Sequence, residues 1–143
     1  MKFFFTIIAL VSSVYSYACL DISGKYLCPE DAELVLGTSE VEFRKSPIVD
    51  IYSMRLGDSA TIYEVGSWNP AMNPNTGEID FSTQTMAECR DKSVLLRSQS
   101  TMTEGEVEVT ISGGFKVTPI SKGIQLKIIL EGDETIKFDC RKL

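Results

Sequence analysis

The chain has 143 residues, no histidine, four cysteines and a formal charge of −6. That length suits one domain with one core. The acidic excess argues against nucleic acid or an anionic membrane as the main partner, because both are bound by clustered Lys and Arg. The lack of histidine removes the usual general base and the His-dependent nucleophilic triads.

Met1-Lys2, the apolar run from Phe3 to Val11, and Ser12 to Ala18 follow the order of a secretory signal. Ser16-Tyr17-Ala18 favours a cut before Cys19, although Val14-Tyr15-Ser16 would also serve. A membrane anchor needs about 18 continuous apolar residues, and Thr6, Ser12 and Ser13 interrupt this run. The expected organisation is a signal peptide at 1–18 and a single domain at 19–143, secreted or periplasmic. Loss of Lys2 makes the mature chain still more acidic. No later segment is long or apolar enough to span a bilayer, so no membrane contact is expected after cleavage. A lipid anchor on Cys19 is the minor alternative. Lipoprotein signals end in Leu-small-small before the cysteine, whereas this one ends in Ser16-Tyr17-Ala18.

Asp21 to Leu27 reads as an opening strand, and Pro29-Glu30-Asp31-Ala32-Glu33 as one helical turn with proline at its start. Val41 to Arg44, Ile48 to Met54 and Thr61 to Val65 are further strands, the last two joined across Leu56-Gly57-Asp58-Ser59. Gly66 to Glu78, rich in Pro, Asn and Gly, reads as a long loop. Ile79 to Ser82 and Val94 to Ser98 are short strands. In Glu106 to Ser112 apolar and polar residues alternate strictly, the pattern of a strand with one wet face. Gly113-Gly114 interrupts this as at a bulge or bend, and Phe115 to Thr118 resumes it. Ser121-Lys122-Gly123 and Glu131-Gly132-Asp133 are turns around Ile124 to Leu130, and Ile136 to Cys140 ends the pattern.

Short strands joined by hairpins give an all-β, antiparallel up-and-down meander of about eight or nine strands. It is expected to close into a small barrel, which also removes the sheet edges, with a β-sandwich as the alternative.

The segment Asp21-Ile22-Ser23-Gly24-Lys25-Tyr26 resembles the Gly-x-Trp opening of lipocalins and related calycin proteins, with Tyr26 in place of the tryptophan. That resemblance implies an antiparallel barrel, often exported, with a small apolar ligand in its mouth. In a barrel this small, the chain's own side chains often fill the interior.

Export places Cys19, Cys28, Cys89 and Cys140 where disulfides persist. Without histidine or a C-x-x-C spacing, neither a zinc site nor any other cofactor is expected. In a closed meander with an even strand count, the last strand runs antiparallel to the first, so its end meets the first strand's start. On that geometry Cys140 should pair with Cys19, leaving Cys28 for Cys89.

Among candidate residues for chemistry, Glu104, Glu106 and Glu108 alternate as on a solvated strand face, and Glu30, Asp31 and Glu33 cluster near the first turn. A glycosidase would need two carboxylates across a cleft. Asn73 to Asp80 faintly matches a calcium loop, but its glycine comes one place early and its leading ligands are amides, which suits a turn better. Trp68 in the long loop is the candidate binding anchor, with Tyr52 and Tyr63 as further candidate contacts. Packing is the commoner role for the two tyrosines and Met54. The expected function is a non-enzymatic binding domain, taking either a small apolar ligand in the barrel or a protein partner. In the latter case it would be an inhibitor or structural surface protein using the 66–78 loop.

Overall fold

The computed structural model describes residues 19–131 and 133–143, so the signal peptide expected at 1–18 lies outside the described residues. Among the described residues, ten strands form one sheet, with a single short helix. In chain order they are β1 (Gly24–Leu27), α1 (Ala32–Leu36), β2 (Glu40–Lys45), β3 (Ile51–Leu56), β4 (Ser59–Glu64) and β5 (Asn69–Met72). There follow β6 (Ile79–Cys89), β7 (Val94–Glu104), β8 (Val107–Ile120), β9 (Gly123–Leu130) and β10 (Asp133–Lys142). The sheet runs β4-β3-β2-β1-β10-β9-β8-β7-β6-β5, every ladder antiparallel.

This is the expected meander, nearly closed into a barrel, with ten strands rather than about eight. The first and last strands are neighbours, as expected. The two edges of the sheet meet at β4 and the β5–β6 pair. Strands β4 and β6 run the same way, so their contact is parallel: Val65 bridges Ala87, the Gly66 N–H donates to the Ala87 carbonyl at 2.9 Å, and Thr85 Oγ1 donates to the Ile62 carbonyl at 2.7 Å.

Alternation decides which residues face in. Val41 and Phe43, Tyr52 and Met54, Val94 and Leu96, and Ile124 and Leu126 are spaced two apart and all buried. They join inward residues of every strand except β5 in one cluster, so the chain's own side chains form the barrel's core. At one end the N-terminal segment folds beneath the barrel. Ile22 is buried there, and Tyr52 and Tyr26 donate their hydroxyls to the carbonyls of Leu20 (2.6 Å) and Ile22 (2.9 Å). Tyr26 packs edge-on against Phe43 with ring centroids 6.1 Å apart.

Several local expectations are corrected. The helix starts three residues later than the expected Pro29–Glu33 turn, at Ala32, whose N–H bonds the Pro29 carbonyl. That helix stops at Gly37, whose positive φ of 75° lets its N–H reach the Glu33 carbonyl. The Gly66–Glu78 stretch is not one loop, since β5 lies within it. Gly113 and Gly114 do not interrupt the strand, because β8 runs through them, and a Cβ on Gly114 would collide with the Leu96 carbonyl of the neighbouring strand. The glycines thus serve close strand packing.

The disulfides also differ from expectation: Cys19 pairs with Cys89 and Cys28 with Cys140, not Cys19 with Cys140 and Cys28 with Cys89. The neighbouring strands were placed correctly, and the register decides the pairing. Tyr26 lies opposite Lys142 and Leu27 opposite Arg141, which sets Cys28 opposite Cys140 and carries Cys19 past the end of β10 to meet Cys89. Both bridges belong to a protein that folds in an oxidising compartment.

Candidate functional site

Strands β7 and β8 are longer than the barrel wall needs. Their paired register continues from Val94↔Val117 out to Glu104↔Val107, but burial stops well before that tip. On β8, Val117 is fully buried, Phe115 is partly covered, and Ile111, Val109 and Val107 on the same face are exposed, the last at 62%. On β7 the inward series passes from Leu96 through Ser98 and Ser100 to exposed Met102. On β6 it runs back from buried Ala87 and Thr85 to Thr83, where pairing with β7 ends and the register with β5 shifts; Phe81, 77% exposed, and exposed Ile79 lie beyond that irregularity. Leu130, opposite Gly113, ends the series on β9 and is 53% exposed.

The apolar face that fills the barrel therefore runs out beyond its mouth without cover from the described residues. The physical cause is alternation over strands longer than the body: period two keeps the apolar side chains on one face, whether or not a core lies under it.

This overhang is bordered by acid. Glu104, Glu106, Glu108, Glu131 and Asp133 sit at the β7–β8 and β9–β10 turns, and Glu78 and Asp80 at the start of β6. No basic residue lies between Arg55 and Arg90, between Arg97 and Lys116, or between Lys127 and Lys137. Hydrogen bonds from Ser82 and Thr83 hold the Asp80 carboxyl below the usual aspartate range, so it stays charged.

At the mouth, a cleft of about 340 Å³ is lined by Thr61 and Tyr63 of β4, Thr83 and Thr85 of β6, and Ser98 of β7, beside the β5 arm. Its lining combines these hydroxyls with the Glu78 and Asp80 carboxylates. Desolvation pushes the Tyr63 phenol up to about 12.

The structure brings two of the sequence candidates together and leaves the third apart. Tyr52 and Tyr63 are direct cross-strand partners, both buried in the core. Tyr52 also holds the N-terminal segment, and burial raises its phenol to about 12. Trp68 lies between β4 and β5 outside the barrel, 37% exposed, with the Arg97 guanidinium 5.7 Å from its ring centroid.

The carboxylates do not converge. Glu104 lies on the apolar side of β7, Glu106 is in the turn, and Glu108 lies on the opposite face of β8. Glu30, Asp31 and Glu33 are exposed around the start of α1. In the Asn73–Asp80 segment, Asn73 closes a tight turn: its carbonyl accepts the Gly77 N–H and its side chain the Asn75 N–H. No group of three acidic or cysteine side chains placed to hold a metal occurs among the described residues.

Sequence reasoning did not single out Phe81, Met102, Val107, Val109, Ile111 or Leu130. The signal was the alternating Glu106–Ser112 run, read as half-buried. In comparisons with protein-family models, curated proteins and solved structures, the chain matches none.

Proposed function

We propose that this is an exported, non-enzymatic binding domain that uses the apolar overhang of β6, β7 and β8 to contact a protein partner. The observation that carries the reading is the continuation of the barrel's inner face into solvent as Met102, Val107, Val109, Ile111 and Leu130, with Ile79 and Phe81 exposed on the adjoining β6. An exposed apolar patch rimmed by polar groups is the usual mark of an interaction surface. The two disulfides and the signal-like residues 1–18 support export to the periplasm or the cell exterior. Because the core side chains occupy the barrel, the protein-contact reading is favoured over a lipocalin-like apolar ligand held inside.

The test is site-specific photo-crosslinking of the mature protein in the source organism's exported fraction, with the photoreactive residue at position 81 or 109 and, as a control, at exposed Ile48 at the opposite end. One protein should be crosslinked from positions 81 and 109 and not from 48. Its purified form should bind the unmodified domain, and Phe81→Ser with Val109→Ser should weaken that binding. A partner crosslinked equally from 48, or one insensitive to both substitutions, overturns the reading.

A further inference from the structure

Beyond the apolar side chains, the overhang carries a free strand edge. Strand β9 pairs with β8 only from Gly113 to Ile120, whereas β7 pairs with it down to Val107. Among the described residues, Val107–Ile111 therefore has a neighbour on one side only. The orientation of the free groups follows from the last bond on the open side, where the Ser112 carbonyl accepts the Glu131 N–H at 3.0 Å. Backbone groups of alternate residues point the same way in an antiparallel strand, so Thr110 and Glu108 turn their N–H and C=O toward the open edge. Unpaired edges of this kind accept another chain as an added strand.

We propose that the β8 edge at Val107–Ile111 receives an extended segment of a partner whose residues alternate between apolar and basic. The inference rests on the protein-contact reading above and names the partner's chemistry. A strand added there places every second side chain beside Val107, Val109 and Ile111, extending the apolar stripe. The intervening side chains fall on the face of Glu108, between Glu106 at the tip and Glu131 at the base. With no lysine or arginine in these segments, that environment recruits cations and repels acidic strands. The same charge argues against a second copy, which would bring two acidic rims together.

The probe is a synthetic capped peptide, Lys-Val-Lys-Val-Lys-Ile-Lys, titrated into the mature disulfide-bonded protein at low salt. Binding should saturate and slow hydrogen exchange at the Glu108 and Thr110 amides, and added salt should weaken it. A charge-reversed peptide with Glu for Lys should bind at least about tenfold more weakly. Thr110→Pro removes one edge donor without touching the β7 ladder and should have a similar effect. The exchange measurement on the unsubstituted protein stands even if Thr110→Pro fails to fold.

No saturable binding, binding without protection at 108 and 110, or equal affinity for the acidic peptide overturns the inference. So does protection of those amides by self-association, seen as a concentration-dependent dimer without peptide. If the peptide fails while the crosslinked partner still depends on Phe81 and Val109, strand addition falls and the apolar contact survives. If that dependence is also absent, both fall.

Discussion

Cys28 and Cys140 face each other across the β1–β10 junction with a Cα–Cα distance of 4.1 Å, bridged by a disulfide. The bridge pins the short ladder that joins the N-terminal and C-terminal halves of the sheet, where Tyr26 pairs with Lys142, Leu27 with Arg141, and the Leu143 N–H donates to the Lys25 carbonyl.

That bridge closes a loop spanning 112 positions, which in the chain-entropy model contributes about 4–5 kcal/mol. Replacing both Cys28 and Cys140 with alanine should cost about 3–5 kcal/mol in denaturant unfolding. Peptide mapping without reductant should recover Cys28 with Cys140 and Cys19 with Cys89. A Cys19–Cys140 peptide would mean that the register across β1 and β10 differs from the one described.

Tyr52→Phe keeps the ring in the core and removes only the hydroxyl that donates to the Leu20 carbonyl. The expected loss is about 1 kcal/mol, the usual net value of one such bond. Faster amide exchange should be confined to residues 20–23, since the Cys19–Cys89 bridge still tethers that segment. Unchanged exchange there would mean the hydroxyl does not hold the N-terminal segment.

Tyr63 carries a pH prediction. Its phenol is raised by desolvation from 10.0 to about 12 in the folded state, so between those values the unfolded chain loses its proton first. Stability from this group is full below about pH 10, falls as pH rises toward 12, and is flat beyond, a loss of about 2–3 kcal/mol. Urea unfolding measured from pH 9 to 12 should show that slope. Tyr63→Phe should make it shallower, leaving the part due to Tyr52, whose phenol is raised to the same value, and an equally steep slope in that variant would place the titration elsewhere.

Core and overhang should respond oppositely to substitution. Leu96→Ala opens a cavity among fully buried side chains and should cost about 2–5 kcal/mol. Phe81→Ser, at a position 77% exposed, should change stability by less than about 1 kcal/mol. A large loss at Phe81 would show that the overhang is part of the folded core rather than a surface free for a partner.

Local sequence sufficed for what local physics controls. Alternation identified the Glu106–Ser112 strand and its apolar face, Gly57-Asp58 marked the β3–β4 hairpin, and a meander of this length already implied that the first and last strands adjoin. Asn69-Pro70-Ala71-Met72 carries no alternation and became a strand only because β6 offers it a partner. The disulfide pairing depended on the β1–β10 register, which no local pattern encodes: Cys140 lies opposite the residue that follows β1, Cys28, and not opposite the segment nine residues earlier that holds Cys19. The exposed stripe was hidden for a related reason. A period of two states which side of a strand is apolar, but only the extent of the neighbouring strands decides whether a core covers that side, and at Val107–Ile111 it does not.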